Sequence, residues 1–342
     1  MDEQTQTTSS NKKLSFFEKF GWIIAASCGL IAILFLLGIV VSYKVKIDDV
    51  KYVTNIHLWD YFKGQYSYDW SMYVTLALLA FGIIFICLSK WKTILASAAS
   101  MLFILAIPIL ALSREFFAAN PIENLHSVSF GWGAYCSIAF TIAAAVLCLS
   151  VEFNKNPIVT RQIAEDGILI ASAFILNLIK IPLAAGAGSV NFQMLPLFLI
   201  ALRHGPAHGL VCGGIIYGLM TCLTDGYGFA CYPFDYLIGF GSVMVMGFFR
   251  KFIFGEKQMW YNVKGEIFIF VAALIATLIR FIGSCASSMI VYKLTFVGAL
   301  EYNALYIPIS GLISVVVIMA AYGPLAKVDK MFPVQKTLNS KA

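Results

Sequence analysis

Apolar runs close to twenty residues long recur along the whole chain, and they leave room for few architectures. Inside a bilayer a backbone N–H or C=O has no water to bond. A spanning segment must therefore close its hydrogen bonds internally, as a helix or a sealed barrel. Runs of about 20 residues suit helices, whereas barrel strands are about half as long and alternate in polarity. Composition agrees. Of 342 residues 60% are hydrophobic and 12% charged, against roughly 25% charged in an average soluble domain. The mean hydropathy is +0.83. The chain reads as an all-α integral membrane protein.

Ten candidate spans are visible. The first four run near Phe20–Val41, Tyr73–Leu88, Ile94–Leu112 and Trp132–Leu149. The other six run near Gly167–Leu183, Val190–Leu202, Gly209–Leu223, Phe234–Phe249, Ile267–Val291 and Tyr306–Tyr322. The sixth is short enough to be tilted, broken or fed by a re-entrant loop. The segment before Lys19 is polar, and the first run is too long for a signal-peptide core, so it reads as a retained anchor. The polar stretch VEFNKNPIVTRQIAED, Val151–Asp166, separates four spans from six. It suggests a domain of residues 1–155 and another of 156–342.

The net charge of +6 reflects orientation rather than nucleic-acid binding, since basic residues collect on the cytoplasmic side. Arg250, Lys251, Lys257 and Lys264 share one loop, and Lys327, Lys330, Lys336 and Lys341 lie in the tail. That loop and the tail are expected inside. Ten crossings put the N-terminus, with Lys12, Lys13 and Lys19, inside too, in a multi-pass protein of the cell membrane. The 44–70 loop falls outside despite four lysines.

Chemical motifs are sparse. No Walker A sequence, HExxH or GxSxG occurs, and no carboxylate–histidine cluster is visible along a helix, so no catalytic residue and no enzyme is expected. The eight cysteines show no CxxC, and no metal site is expected. Cys222 and Cys231 flank one loop and could pair, although two free buried thiols are the simpler reading. His57 with Asp60, and His126 with Glu123, read as solvated loop contacts. Gly209/Gly213 and Gly214/Gly218 are two small-xxx-small spacings that let helices approach closely.

Ionisable residues inside spans carry the functional signal. Lys180 beside Pro182 can snorkel, and Glu301 lies at a span mouth. Asp235 and Arg280 are deeper. Arg280, Ser284, Ser288 and Tyr292 follow each other at four-residue intervals, which lines them along one helix face. Two readings stand: a buried Asp235–Arg280 ion pair that closes the bundle, or a polar pocket open to the outside. Tyr227, Phe229, Tyr232, Tyr236, Tyr292, Tyr302 and Tyr306 gather at the same span ends. Aromatic faces around a carboxylate suit a flat cationic or amino-bearing heterocycle.

Three stretches carry a family resemblance. They are GSVNFQMLPLFLIALRHGPAHGLVCGGIIYGL, FDYLIGFGSVMVMGFFRK and EYNALYIPISGLISVVV. In order and character they resemble helices two and three, four, and six of the substrate-binding S components of energy-coupling factor (ECF) vitamin transporters, most closely the thiamine-specific ones. The resemblance spans roughly residues 160–330. It implies a six-helix S-component bundle behind a four-helix extension of unknown role. It also implies a non-enzymatic protein, with no cofactor of its own, that captures thiamine or a related compound from outside. Such a protein docks on a transmembrane coupling protein driven by two cytosolic ATPases that use ATP. By resemblance, the substrate residues are Asp235, Tyr236, Arg280, Ser284, Tyr292 and Tyr302, and the partner-docking residues are Gly167 and Ala171. Asp235 stands where the family has Glu, Ser284 where it has a pocket His, Tyr292 where it has a stacking Trp, and Ile307 where it has a pocket Asn. A loop Trp of the family has no counterpart in AAGAGSVNFQ. The alternatives are an S component for another vitamin or heterocycle, a polytopic enzyme or signalling protein reusing the fold, and a secondary transporter. The last usually shows inverted repeats, and none is visible.

Overall fold

A computed structural model describes residues 16–47, 50–63, 70–119, 125–182, 188–254 and 262–332. Helix α1 (Phe16–Phe35) opens the first unit. Strands β1 (Ile39–Ile47) and β2 (Val50–His57) follow, then the short helix α2 (Leu58–Phe62). Two long helices come next, α3 (Trp70–Leu88) and α4 (Ile94–Ala119). Strand β3 (Leu125–Phe130) and helix α5 (Trp132–Lys155) complete the unit.

The four long helices stand where apolar runs were expected, consistent with an all-α membrane protein, and a small sheet is added to them. The first apolar run stops being helical near Phe35, and the 44–70 segment, expected as an open loop, begins with a hairpin. Residues 39–57 are rich in β-branched side chains, which favour strands. Strands β1 and β2 pair with each other, and β3 joins on the other side of β1, in a three-stranded antiparallel sheet of order β2-β1-β3. Ser42 faces Asn55 and donates to its side chain at 2.8 Å. The His57–Asp60 pair is a local cap, in which the His57 backbone N–H donates to Asp60 at 2.8 Å. The other expected pair, His126 with Glu123, lies outside what is described. Inside this unit the Phe103 ring fills a notch made by Gly29 and Gly82, where any Cβ would stand 2.9 Å from the ring.

The second unit starts four residues later. It comprises α6 (Thr160–Leu178), the two-residue strands β4 (Ile181–Pro182) and β5 (Ser189–Val190), and α7 (Met194–His204). Helices α8 (Pro206–Asp225) and α9 (Phe229–Phe254) follow. Then come α10 (Val263–Val291), α11 (Phe296–Ala304), α12 (Ile307–Ala320) and α13 (Tyr322–Met331). The sixth expected span is the 11-residue α7, entered through the β4–β5 pairing.

Among the described residues, seven helices are long and apolar enough to cross a membrane, and Lys19–Phe35 and Met194–His204 are shorter apolar helices. Helix α6 differs because Arg161, Glu165 and Asp166 occupy its first two turns.

Packing in the second unit follows its glycines. A Cβ on Gly209 would meet Met244 at 2.9 Å, on Gly213 the Phe240 carbonyl at 2.6 Å, and on Gly214 the Leu237 carbonyl at 2.7 Å. Both small-xxx-small spacings thus seat α8 against α9. These helices are wound wide, with i→i+5 bonding, over Gly209–Tyr217 and Tyr232–Ile238. Such turns re-aim side chains and are frequent at functional sites. Two hydrophobic cores result, one mainly within residues 25–151 and one within 170–326. Ala207, Leu210 and Met244 belong to the first core although they lie in the second unit.

Candidate functional site

A buried polar cluster lies where α9, α10 and α11 meet. Asp235 sits on the wide turn of α9 and accepts a hydrogen bond from the Ser284 hydroxyl of α10. At Gly283, next to that serine, a Cβ would stand 2.7 Å from the Phe234 carbonyl. This close approach lets α10 bring Ser284 onto the carboxylate. The expected stripe is real and points inward, with Arg280, Ser284 and Ser288 all buried.

Arg280 and Asp235 are not a closed ion pair. Among the described residues no salt bridge within 4.0 Å joins them. The guanidinium instead lies over the Phe240 ring, 4.7 Å from its centroid. Its buried Nε and Nη1 atoms have no hydrogen-bond partner. A guanidinium is costly to bury, and unmet donors on it are costlier still. The buried ion pair that was one of the two sequence readings is therefore not formed.

Aromatic and amide groups surround the pair. Tyr306 donates to the Asn303 side chain at 3.0 Å, and the Asn303 amide donates to Ser288 at 3.0 Å. Tyr302 meets Tyr306 edge-on, with ring centroids 5.9 Å apart. Tyr292 is half exposed and reaches Cys231 at 3.5 Å. Tyr217 donates to Gln193 at 2.5 Å, and Asn191 donates to Asn177 at 3.2 Å. Gly188 holds φ +77°, and a Cβ there would stand 2.7 Å from the Tyr306 ring. The β4–β5 segment therefore rests on the cluster through a residue that only glycine supplies without strain.

The structure brings together Asp235, Arg280, Ser284 and Ser288. It sets Tyr236 slightly apart, with its hydroxyl 3.4 Å from Asp225, which also meets Lys180 at 3.7 Å. Sequence reasoning overlooked Asn303, Tyr217, Gln193 and Asn191. It placed the family's pocket Asn on Ile307, yet Asn303, one turn earlier, is the buried amide of this region. Cys222 and Cys231 are free thiols.

A 330 Å³ cleft lies elsewhere, between α10 and α12, lined by residues such as Phe270, Leu274, Phe281, Pro308 and Leu312. Its walls are apolar except for Thr277, which suits acyl chains rather than a charged solute.

A second polar cluster occupies the opposite end of the unit. Arg203 bonds Glu165 at 3.1 Å and Asp329 at 3.3 Å, and Arg250 bonds Asp329 at 2.7 Å. Burial alone would raise the Glu165 carboxyl, but hydrogen bonds from Arg161 and Arg203 outweigh it and hold the group below its ordinary range. His204 Nδ1 lies 2.6 Å from Asp166, His204 Nε2 lies 2.9 Å from Glu165, and His208 Nδ1 lies 2.6 Å from Asp166. No carboxylate–histidine cluster was visible in the sequence, because Asp166 is remote and the two histidines straddle a helix break. Gly205 makes that break with φ 101°, and Pro206 restarts the helix.

Comparison with known proteins follows the same division of the chain. Residues 163–329 match the family described as thiamine transporter protein, Thia_YuaJ. The thiamine transporter ThiT of Bacillus subtilis (strain 168) is 28% identical over 181 residues, which cover 48% of this chain and 91% of that protein. Over its second half, this chain is similar to the thiamine transporter family. The family match takes in both polar clusters, the wide turns of α8 and α9, and the β4–β5 segment. The sheet and helices α1 to α5 lie outside it.

Proposed function

We propose that this chain is the membrane-embedded S component of an ECF-type transporter. It captures thiamine or a close relative from outside, for uptake driven by ATP hydrolysis on partner subunits. The observation that carries this reading is the family match over 163–329, set beside a carboxylate, Asp235, held among aromatic rings. Thiamine is flat, cationic and amino-bearing. A buried carboxylate can accept from its amine or balance its charge, and the tyrosines offer stacking and cation–π faces. Asp235, Tyr236, Arg280, Ser284, Tyr292 and Tyr302 form the proposed binding set, joined by Asn303 and Tyr306.

Partner coupling rests on α6. Gly167 and Ala171 are exposed, and nothing lies within 4 Å of a Cβ placed on Gly167. Ile163, Ile168 and Ile175 are exposed beside them. Small residues amid an apolar face let another helix approach closely. The fitting occupant is the transmembrane coupling protein that carries the two ATPases. The proposed topology has ten crossings, counting α6, with both termini cytoplasmic in the cell membrane. The proposed units are 1–155 and 156–342, and the first has no assigned role.

A second reading has one observation in its favour. The unpartnered Arg280 donors suit a ligand with an acceptor group, so a related heterocycle bearing one is the alternative. Uptake tests the main reading. Cells lacking their own thiamine import should accumulate labelled thiamine when this chain is supplied together with coupling protein and ATPases. Omitting the ATPases, or using Asp235→Asn, should abolish it. Uptake unaffected by either change contradicts the proposal.

A further inference from the structure

The geometry points to a divalent transition-metal site at the junction of α6, α7 and α8, held by Asp166, His204 and His208 and suited to a cation of the zinc class. All three residues are buried, and one donor atom from each lies within 4.8 Å of the others. The two imidazole rings stand 5.2 Å apart, centroid to centroid, and both turn Nδ1 toward the Asp166 carboxylate.

The histidine contacts themselves call for a cation. A neutral imidazole has one N–H and one bare nitrogen. His204 faces a carboxylate oxygen on each side, at 2.6 Å and 2.9 Å. Without a cation, its bare nitrogen would meet an anionic oxygen. An ion shared by Asp166 and both Nδ1 atoms removes the conflict and leaves His204 Nε2–H to donate to Glu165. A carboxylate on the far nitrogen is the usual way a metal-binding histidine is oriented.

Local charges agree. Arg161, Arg203 and Arg250 pair with Glu165 and Asp329. Among the described residues none of these arginines bridges Asp166, whose ion-pair partners are the two histidines. The Cys212 thiol, one turn beyond His208, also interacts with the Asp166 carboxylate. Phe153 closes one side with its ring edge-on to His208 at 5.6 Å. Two imidazoles, a carboxylate and a nearby thiol select zinc, cobalt or nickel over magnesium and calcium, which prefer oxygen donors. Zinc ligands about 2.1 Å from the ion in a tetrahedron stand about 3.4 Å apart, so loading would open the present 2.6 Å contacts by about 0.8 Å.

The full-length protein, purified in detergent, freed of any polyhistidine tag and stripped with chelator, is titrated with Zn²⁺. Metal retained after gel filtration is then counted by mass spectrometry. The expected result is about one zinc per chain, a raised melting temperature and no comparable effect of Mg²⁺. Asp166→Asn and the double variant His204→Gln/His208→Gln should lose roughly 100-fold or more in affinity while keeping wild-type helical content. Wild-type protein that retains no stoichiometric zinc overturns the proposal. Equal retention by the double variant overturns it too. If the variants do not fold, the wild-type titration decides by itself, with equal responses to Zn²⁺ and Mg²⁺ counting against the site.

Discussion

Asp235 places one carboxylate inside a helical bundle, and its neighbours are a serine hydroxyl, an arginine that does not close on it, and aromatic rings. Asp235→Asn should therefore weaken thiamine binding by about 1.5–3 kcal/mol, the range for a hydrogen bond to a charged group. Isothermal titration at fixed salt reads this directly, with unchanged melting as the control. Unchanged affinity with lowered stability would make Asp235 a structural residue instead. Gly188→Ala adds a methyl group where φ is +77° and the Tyr306 ring is 2.7 Å away. It should cost about 1–3 kcal/mol in ligand affinity or melting free energy. Charged residues in apolar runs were legible because burying them is expensive, and that logic found Asp235 and Arg280. It could not find Asn303, Tyr217 or Gln193. Neutral polar side chains raise no alarm in a span, and only packing shows which way they face.

Helix α8 is seated on α9 through glycines, and spacing alone revealed it. Gly213→Leu would drive a side chain into the Phe240 carbonyl, 2.6 Å from the Cβ position. It should destabilise the protein by about 1–3 kcal/mol, the usual cost of overpacking, as a lower melting temperature in detergent. Gly167→Trp is the contrast, because nothing lies within 4 Å of that Cβ. It should leave melting and thiamine binding unchanged while reducing co-purification with the coupling protein. Full co-purification would remove α6 as the docking face. The sheet was missed at this scale for a physical reason. Ile39–Val41 continue an apolar run, so composition extended the first span through them. The change from helical to alternating periodicity comes only with Ser42, Lys44 and Lys46. The wide turns in α8 and α9 left no sequence signal, since a single added residue per turn does not alter an apolar pattern.

The whole chain joins two helical units through a short connection. Within the polar stretch 151–166, read as the boundary between four spans and six, α5 runs to Lys155 and α6 starts at Thr160, so only four residues separate them. Polar residues there mark helix ends: Lys155 bonds the Ser89 carbonyl, and Glu165 and Asp166 pair with side chains at the α7–α8 break. The second unit was legible because its motifs fall in order along the chain. The first offered apolar runs and no chemistry, and its described residues add no chemical site that would name its role. The proposed ten crossings would place both termini on one side. Fluorescent-protein fusions at either end should both fluoresce in bacteria, and a dark fusion at one end would show an odd number of crossings.

The most direct measurement is binding of labelled thiamine to the purified chain without ATP or partners, beside riboflavin, biotin and the thiamine pyrimidine precursor. Saturable one-to-one binding of thiamine, at least about tenfold tighter than riboflavin or biotin, or 1.4 kcal/mol, and weakened at least about tenfold in Asp235→Asn, is the predicted result. Failure of the folded protein to bind thiamine or its precursor would contradict the assignment.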